Sequence, residues 1–295
     1  MSKLKLTIIA LSLTLVLAAG CSSKNNANEN TPTNEVKQET PVAEGKNDPP
    51  PAEEPPVEEA TPIDTTTLAN TSGKTLMKSI TLNKNGDGGH TSIGIVSKGG
   101  TVVVADPNTM PTETTGLIKA DIVTISHDHY DHTDETYLAE SKKAGEFKLS
   151  QQTVETFTVK DVVVTGVSSG HSSIFMPDAP SNIIYVYEVD GLRIAHMGDL
   201  AQNELTEEQL TQLGKLDVVF LPFSDVTENG FTPAKTVKVL QQLQPKIVSP
   251  LHFTPEAVET ILTELGITER SEADELAVDK AELDQAKGMS YVFLK

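Results

Sequence analysis

The sequence predicts an α/β domain built as a layered sandwich, because its strands and helices occur in two halves with different patterns. Short β-rich runs dominate residues 73–196, and one helical run interrupts them. After residue 199, helical and β-rich runs alternate. Two β-rich halves with interspersed helices favour a layered sandwich over a single doubly wound sheet.

Most elements of the first half are predicted to be strands. Short runs rich in β-branched residues and bounded by turn residues indicate strands at residues 79–82, 91–96, 101–105 and 121–126, with a further β block at 147–167. A helix is predicted at residues 133–144. The runs at 183–189 and 192–196 flank Asp190-Gly191, a pair typical of a type I′ hairpin turn.

The second half alternates between the two element types. Helices are predicted at residues 204–213, 233–243 and 255–265, and strands at 217–221, 246–249 and 289–294. Residues 269–284 are acidic with helical spacing, which predicts a solvated helix without chemistry.

The amino terminus has the features of an export signal. A basic start is followed by an apolar run at residues 6–19, which is shorter than the ~20 residues of a membrane span. Residues 17–21, Leu-Ala-Ala-Gly-Cys, resemble the lipobox of bacterial lipoproteins, in which the cysteine is acylated. We expect residues 1–20 to be a signal peptide and Cys21 to be a lipid anchor at the outer face of a bacterial cell membrane. An ordinary secretory signal with an incidental cysteine is the alternative.

Residues 21–72 are predicted to be an acidic, Pro-rich tether. Residues 22–72 contain eight prolines, ten acidic residues and no aromatic residue, so this segment cannot bury a core. Prolines stiffen the chain, and the Glu side chains repel one another. We expect the tether to hold the domain of residues 73–295 away from the membrane. An acidic recognition tail is the alternative.

The composition excludes several classes of function. With 23 Lys and Arg against 42 Asp and Glu, the formal net charge is −19, so nucleic acid is not an expected partner. Cys21 is the single cysteine, which rules out an intramolecular disulfide and a thiolate-based zinc cluster. Any metal site must therefore use nitrogen and oxygen ligands. The sequence also lacks the Gly-x-Ser-x-Gly elbow of serine hydrolases.

Four potential metal ligands directly follow one predicted strand. Residues 126–132 read Ser-His-Asp-His-Tyr-Asp-His. His127 and His129 are two positions apart, so they can face the same side of an extended segment and hold one ion. Asp131 and His132 can then face a neighbouring position.

The remaining candidate ligands occur at similar points of the pattern. Three more residues lie just beyond predicted strands, namely His171, Asp199 and His252. With the four above they give five histidines and two aspartates. This set is suited to two divalent ions about 3.5 to 4 Å apart in a hydrolytic site.

The order of these residues resembles the metallo-β-lactamase fold superfamily. Its succession of His-x-His-x-Asp-His, a lone His, Gly-Asp and a final His is matched at residues 127–132, His171, Gly198-Asp199 and His252. Three further matches, Gly89-His90, Asp106-Pro107 and His-x-Gly-Asp at 196–199, are similar to the compact branch that includes the ascorbate-phosphate lactonases. The resemblance implies a four-layer αββα sandwich with the site at one edge.

The resemblance also implies a role for each ligand. The first ion would be held by His127, His129 and His171, and the second by Asp131, His132 and His252. Asp199 would bridge both. Zinc is the default ion for such ligands, and manganese or iron suits the same set.

The implied activity is that of a dinuclear metal-dependent hydrolase. A metal-bound hydroxide would attack a lactone, ester or phosphodiester in a small molecule or a lipid head group, and Asp131 would orient the nucleophile and accept a proton. A true β-lactamase is not expected, because the domain lacks the second-site cysteine of those enzymes. One alternative is a metal-binding surface lipoprotein without turnover. Another, a mononuclear iron oxidoreductase of the same fold, is disfavoured by the complete second-site set.

Three further residues are candidates for support or catalysis. His196 either orients a ligand or supplies a substrate-facing acid, and a core histidine is the alternative. His90 follows a glycine-rich stretch at residues 85–89 and is a second catalytic candidate. Asp106 is expected to brace the metal-bearing loop through hydrogen bonds, with a plain Asp-Pro turn as the alternative.

Overall fold

Two β-sheets form the frame of the molecule. The computed structural model describes residues 68–83, 89–226 and 230–295. The first sheet contains β1 (Thr75–Ser79), β2 (Ile93–Val96), β3 (Val102–Ala105), β4 (Ile122–Ile125), β5 (Lys148–Gln151) and β13 (Leu276–Val278). The second contains β6 (Thr156–Val159), β7 (Val162–Ser169), β8 (Asn182–Val189), β9 (Leu192–His196), β10 (Val218–Phe223), β11 (Ile247–Phe253), β12 (Arg270–Ala273) and β14 (Ser290–Leu294). The strand orders are β13-β1-β2-β3-β4-β5 and β12-β14-β11-β10-β9-β8-β7-β6.

Helices cover the outer faces of both sheets. On the first sheet, α1 (Glu135–Ala144) buries Tyr137 and Leu138 in one apolar cluster with side chains of β3 and β4. The second sheet is covered by α2 (Glu207–Leu213), α3 (Pro233–Leu243) and α4 (Pro255–Glu264). A third cluster joins the facing sides of the two sheets, and α5 (Lys280–Leu283) is a single turn beside it. These layers confirm the predicted α/β class and the αββα sandwich.

Local sequence explains where the main helices begin. Thr232 and Thr254 are the N-caps of α3 and α4, and their hydroxyls accept hydrogen bonds from the third residues of the helices. Each cap is followed by a proline, whose missing N–H is not needed in the first turn. Because these signals are local, the first residues of both helices agree with the sequence prediction.

Strand direction brings the candidate ligands to one edge of the sandwich. β3 and β4 are parallel in the first sheet, and β9, β10 and β11 are parallel in the second. β7 runs in the same direction as β9, because each pairs antiparallel with β8. The carboxyl ends of these strands therefore carry the polar segments with His127, His171, Asp199 and His252, as expected for ligand sites of α/β sheets.

Two tyrosines of β8 carry hydrogen bonds across the interior between the sheets. The Tyr187 hydroxyl lies 2.6 Å from Thr124 Oγ1 of β4, and the Tyr185 hydroxyl lies 3.2 Å from Ser150 Oγ of β5. All four side chains are buried. These bonds satisfy polar groups that would otherwise be desolvated without a partner.

Several other predicted elements are confirmed with small changes in their ends. The predicted helix at 133–144 is α1, and the predicted hairpin joins β8 to β9. In its turn, Asp190 and Gly191 have φ angles of 52° and 82°, the positive values that a type I′ turn requires. The predicted strand at 246–249 continues to residue 253, so His252 lies within the end of β11 and not beyond it.

Two predicted elements are wrong. Residues 269–284 do not form one helix, because β12 pairs with β14 and β13 pairs with β1 before the short α5 begins. Pairing with these strands outweighs the helical spacing of the acidic residues. A strand was predicted at residues 79–82, but the strand in this region is β1, which covers Thr75–Ser79 and so ends where the predicted strand begins.

The packed domain begins earlier than residue 73. Leu68 is buried among the side chains of the first sheet, and the Asn70 amide donates hydrogen bonds to the carbonyl oxygens of Lys74, Val96 and Ser97. Residues 68–72 therefore belong to the domain and not to the predicted tether. The predicted signal peptide, Cys21 and the rest of the tether lie outside the described residues. Within the described part of the chain, no helix is long and apolar enough to cross a membrane.

The substitution Tyr187→Phe should destabilise the domain by about 1–3 kcal/mol, because Thr124 Oγ1 would remain buried without its partner. Urea unfolding followed by circular dichroism measures this change. Tyr130→Phe, at a tyrosine that is 85 % exposed, is the control and should stay within about 0.5 kcal/mol. Equal stability of both variants would contradict the assigned role of the bond between the sheets.

Candidate metal centre

Four side chains from three loops form the first group of candidate ligands. His127 and His129 follow β4, His171 follows β7, and Asp199 follows β9. One ligand atom from each lies within 4.8 Å of the others. His171 Nε2 is 2.9 Å from Asp199 Oδ2, and His127 Nε2 is 3.1 Å from His129 Nδ1. These distances place nitrogen and oxygen ligands around one small volume.

A second group lies beside the first. It consists of Asp131, His132 and His252, whose ligand atoms also lie within 4.8 Å of one another. His132 Nε2 is 3.0 Å from His252 Nε2, and His252 Nε2 is 3.8 Å from Asp131 Oδ2. Asp131 and His132 come from the loop after β4, and His252 comes from β11, so this group joins the two sheets.

Asp199 connects the two groups. Its Oδ2 faces the first group, at 3.5 Å from His127 Nε2, and its Oδ1 lies 3.2 Å from the Nε2 atoms of both His132 and His252. One carboxylate oxygen is thus directed at each group. The structure brings together all seven predicted ligands and places Asp199 between the two groups. That these residues bind metal remains a prediction.

The chemistry of the site fits divalent ions. Asp131 Oδ1 is buried and makes no hydrogen bond to any of the described residues. Burying carboxylate oxygens without partners is costly, and a cation removes this cost. Imidazole and carboxylate ligands without thiolate suit zinc, manganese or iron. The residues present therefore fit the ions that the sequence predicted.

Opposite charges set the protonation of the cluster. Burial raises the pKa of the Asp199 carboxyl, but His132 and His252 outweigh it and hold that pKa well below its ordinary value. Burial and then the charge of His132 lower the pKa of His127 to about 3. Burial opposes the protonation of His132, but Asp199 and Asp106 raise its pKa well above the ordinary value. Asp199 and His127 are therefore deprotonated at neutral pH, and an ion that binds His132 displaces its proton.

Asp106 stabilises the loop after β4, which carries four of the candidate ligands, through hydrogen bonds. Its carboxylate is completely buried and accepts hydrogen bonds from Ser126 N at 2.7 Å and Ser126 Oγ at 2.5 Å. It also lies 2.7 Å from His132 Nδ1, which leaves His132 Nε2 directed at the second group. Burial raises the pKa of Asp106, but His196 and His132 lower it to about 2. The structure thus contains the hydrogen bonds that the sequence analysis expected of Asp106.

His196 supports the turn that carries Asp199. Its Nε2 is 2.8 Å from the carbonyl oxygen of Thr91, and its Nδ1 is 3.3 Å from Gly198 N. Gly198 has a φ of 53°, and a Cβ at this position would clash with Asn182 Oδ1. Both ring nitrogens of His196 thus contact backbone, and His196 does not line the cleft described below. This placement favours orientation of a ligand over the predicted catalytic acid.

His90 lies in an aromatic environment and belongs to neither ligand group. It is 1 % exposed, and its ring stacks on Phe293 with a centroid distance of 4.9 Å. Phe253 contacts the same ring edge-on at 5.5 Å, and Ser79 Oγ is 3.5 Å from His90 Nδ1. His90 belongs to neither ligand group and does not line the cleft. The structure gives no support to its predicted catalytic role.

A cleft of about 480 Å³ opens onto the two groups. Among the described residues, it is lined by His129, Tyr130, Asp131, His171, Asp199, Ser224, Val226, Phe231 and His252. The non-ligand members of this set were not predicted from the sequence. Their position just after the carboxyl end of β10 was the available signal for Ser224 and Val226. A groove of similar volume beside α4 contains none of the candidate ligands.

The chain is similar to known proteins over most of the domain. A family model described as a beta-lactamase superfamily domain matches residues 88–252, a range that includes all seven candidate ligands. The UPF0173 metal-dependent hydrolase of Thermus thermophilus is 30% identical over 190 residues, which cover 56% of this chain and 81% of the relative. The UPF0173 metal-dependent hydrolase of Myxococcus xanthus is 31% identical over 216 residues, which cover 61% of this chain and 76% of the relative.

A solved structure shares the fold. It is the crystal structure of a proposed Zn-dependent hydrolase of the metallo-beta-lactamase superfamily from Thermotoga maritima. The TM-score is 0.53 at 21% sequence identity, and the alignment covers 75% of this chain and 98% of the other. At this identity the likeness concerns the fold alone.

The chain purified without added metal should contain about two divalent ions, because two ligand groups share Asp199. His171→Ala and His252→Ala each remove a ligand from one group and should each lower the content toward one ion. Elemental analysis by mass spectrometry measures the ions per chain. Asp128→Ala is the matched control: Asp128 is exposed, lies between two ligands and belongs to neither group. A single ion in the unmodified chain, or none after reconstitution, would rule out the two-ion arrangement.

Proposed function

The chain belongs to the beta-lactamase superfamily and is a metal-dependent hydrolase, and from this premise we propose that it acts with two divalent ions on a lactone, ester or phosphodiester. The observation that carries the proposal is the place of Asp199, whose two oxygens face the two ligand groups separately. A single-ion site would not require this arrangement. The likeness of Gly89-His90 and Asp106-Pro107 to the ascorbate-phosphate lactonases supports including lactones.

Seven residues of this chain would hold the ions. The first would bind His127, His129 and His171, the second would bind Asp131, His132 and His252, and Asp199 would bind both. Two such ions supply the Lewis acidity that makes water nucleophilic near neutral pH and stabilises a developing oxyanion. Zinc is the ion proposed first, and manganese or iron suits the same ligands.

Asp131 is positioned to accept a proton from the attacking water molecule. Its carboxylate lines the cleft, Oδ2 faces His252, and Oδ1 is free of hydrogen bonds to the described residues. The Thr91 hydroxyl donates a 2.7 Å hydrogen bond to the Asp131 carbonyl oxygen and fixes this part of the loop. A carboxylate held in this way can orient a water molecule and accept its proton during attack on the substrate.

Asp131→Asn should keep both ions but lower kcat about 10²-fold or more, because the amide still offers an oxygen ligand but cannot accept a proton. Turnover of a lactone, a p-nitrophenyl ester and bis(p-nitrophenyl) phosphate is to be measured beside metal content. Asp128→Asn, next to the same ligands, should retain full activity. Full turnover with full metal content in Asp131→Asn would disprove the role of Asp131. Two ions without turnover of any substrate would favour the non-catalytic metal-binding lipoprotein.

The proposed location is the outer face of a bacterial cell membrane, with Cys21 as the lipid anchor. A basic start, an apolar run and the lipobox-like residues 17–21 support export and acylation. The acidic, Pro-rich segment that follows would act as an extended tether and hold the domain away from the membrane. In this place the substrate would be a small molecule or a lipid head group outside the cytoplasmic membrane.

Cys21→Ser should abolish the incorporation of labelled palmitate and move the protein from the membrane fraction to the soluble fraction. The chain has no other cysteine that could be acylated. Metal content should stay unchanged, because Cys21 is not a candidate ligand. If both proteins are found in the soluble fraction and neither carries the label, the ordinary secretory signal is supported instead.

A further inference from the structure

We propose that the cleft selects an uncharged carboxylic ester or lactone with an apolar arm, and that Phe231 and Ser224 are the residues that recognise it. This inference rests on the proposed function, because it narrows the substrate class of the same site. The apolar arm would lie on Phe231, Val226 and Tyr130, and the carbonyl group would lie over the two ligand groups.

An apolar wall stands directly beside the candidate ligands. Phe231 is 7 % exposed, and its ring centroid lies 5.8 Å from that of His171 and 6.3 Å from that of His252. These two histidines belong to different ligand groups, so the ring borders both. A β-bridge joins Phe231 to Val226, which holds the two side chains on one side of the cleft.

The rim of the cleft is also partly apolar. Tyr130 is 85 % exposed and Val226 is 37 % exposed, and both line the cleft. Large apolar groups exposed beside polar residues are typical of ligand sites, because an apolar part of the ligand can cover them. The wall and the rim together offer apolar surface to a hydrocarbon arm, and the described residues among them carry no charge.

The polar part of the cleft suits a carbonyl group. Ser224 is 1 % exposed, lines the cleft, and its Oγ has no hydrogen-bond partner among the described residues. A neutral hydroxyl in this state can donate to a carbonyl or ester oxygen and recover the cost of its burial. Ser224 therefore provides orientation without requiring a charge on the substrate.

Cations for an anionic substrate are missing from the described lining of the cleft. Neither Lys nor Arg occurs among the residues that line it. Lys235, on the helix that follows Phe231, directs its ammonium group to Ser173 Oγ and the Ala201 carbonyl oxygen, each at 2.9 Å. A phosphoryl group spreads developing charge over several oxygens and is usually met by Lys or Arg together with metal ions, whereas an ester develops charge on one oxygen, which the ions alone would stabilise. This difference favours the carboxylic ester over the phosphodiester.

The reaction in this form is simple hydrolysis. Water adds to the carbonyl carbon, the bond from that carbon to the leaving oxygen breaks, and Asp131 passes the proton from water to the leaving alkoxide. The products are one carboxylic acid and one alcohol, which in a lactone belong to the same molecule. No oxidant or second reactant is required.

The first experiment compares chain lengths on the metal-loaded chain. For p-nitrophenyl octanoate, kcat/KM should exceed that for p-nitrophenyl acetate by at least about tenfold, because each buried methylene adds to binding. An ester that carries a carboxylate at the end of its chain, and bis(p-nitrophenyl) phosphate, should each react at least about tenfold more slowly than the octanoate. Equal rates for both chain lengths, or a preference for a charged substrate, would overturn the inference.

Variants connect the preference to the named residues. Phe231→Ala should remove most of the octanoate preference, with a larger loss of kcat/KM for the octanoate, through a higher KM, than for the acetate. Ser224→Ala should lower kcat/KM for both esters to a similar degree. Val154→Ala, at a side chain that is 57 % exposed and does not line the cleft, should leave the preference intact. Tyr130→Ala, at the exposed rim, gives a second variant that can fold normally if Phe231→Ala does not, and it should reduce the preference partly.

The outcomes separate this inference from the proposed function. Asp131-dependent hydrolysis of the phosphodiester, with no effect of chain length and no effect of Phe231→Ala or Tyr130→Ala on it, would leave the two-ion hydrolase standing and refute the apolar ester. An equal loss on both esters in Phe231→Ala would refute the recognition role of Phe231. Two bound ions without turnover of any of these compounds would refute both proposals.

Discussion

The buried carboxylate of Asp106 is the constraint on which the site depends. It has no exposed surface, and its charge is stabilised by two hydrogen bonds from Ser126, by His132 at 2.7 Å and by His196 at 3.6 Å. The contacts with Ser126 and His132 define the path of the chain as it leaves β4. From there His127, whose Nδ1 is 3.0 Å from Ser126 Oγ, and His132 are both turned toward the candidate ions. A structural requirement, the satisfaction of one buried charge, thus also orients the ligands.

The candidate centre exists only where the two sheets meet. The ligands after β4 belong to the first sheet, whereas His171, Asp199 and His252 belong to the second. Packing of the facing apolar sides, with Tyr187 bonded to Thr124 across the interior, brings the two sets within contact distance. Ions bound here would in turn hold the sheets together, because they bind the assembled site and not the separated strands. Binding of ions at this site would therefore be coupled to folding.

The cleft combines a charged floor with an uncharged wall. Asp131, Asp199 and five histidines surround the place of the chemistry, whereas Phe231, Val226 and Tyr130 offer apolar surface beside it. Phe231, Val226 and Tyr130 belong to neither ligand group. Ion binding therefore gives no reason for the exposure of Tyr130 and Val226. Under the proposed function, the residues at the strand ends would supply reactivity, and the apolar residues after β4 and β10 would supply selectivity, as expected when a common scaffold carries variable loops.

The sequence by itself determined the features that depend on near neighbours in the chain. The Thr-Pro starts of α3 and α4, the Asp190-Gly191 turn and the seven candidate ligands could all be predicted, because capping, turn geometry and ligand chemistry are written in a few adjacent residues. Only the tertiary structure decided that residues 269–284 contain two strands, that Leu68 belongs to the core, that His196 faces backbone and that Phe231 borders both ligand groups. These outcomes depend on partners far away in the chain, and burial against such partners outweighs local propensities of well under 1 kcal/mol per residue.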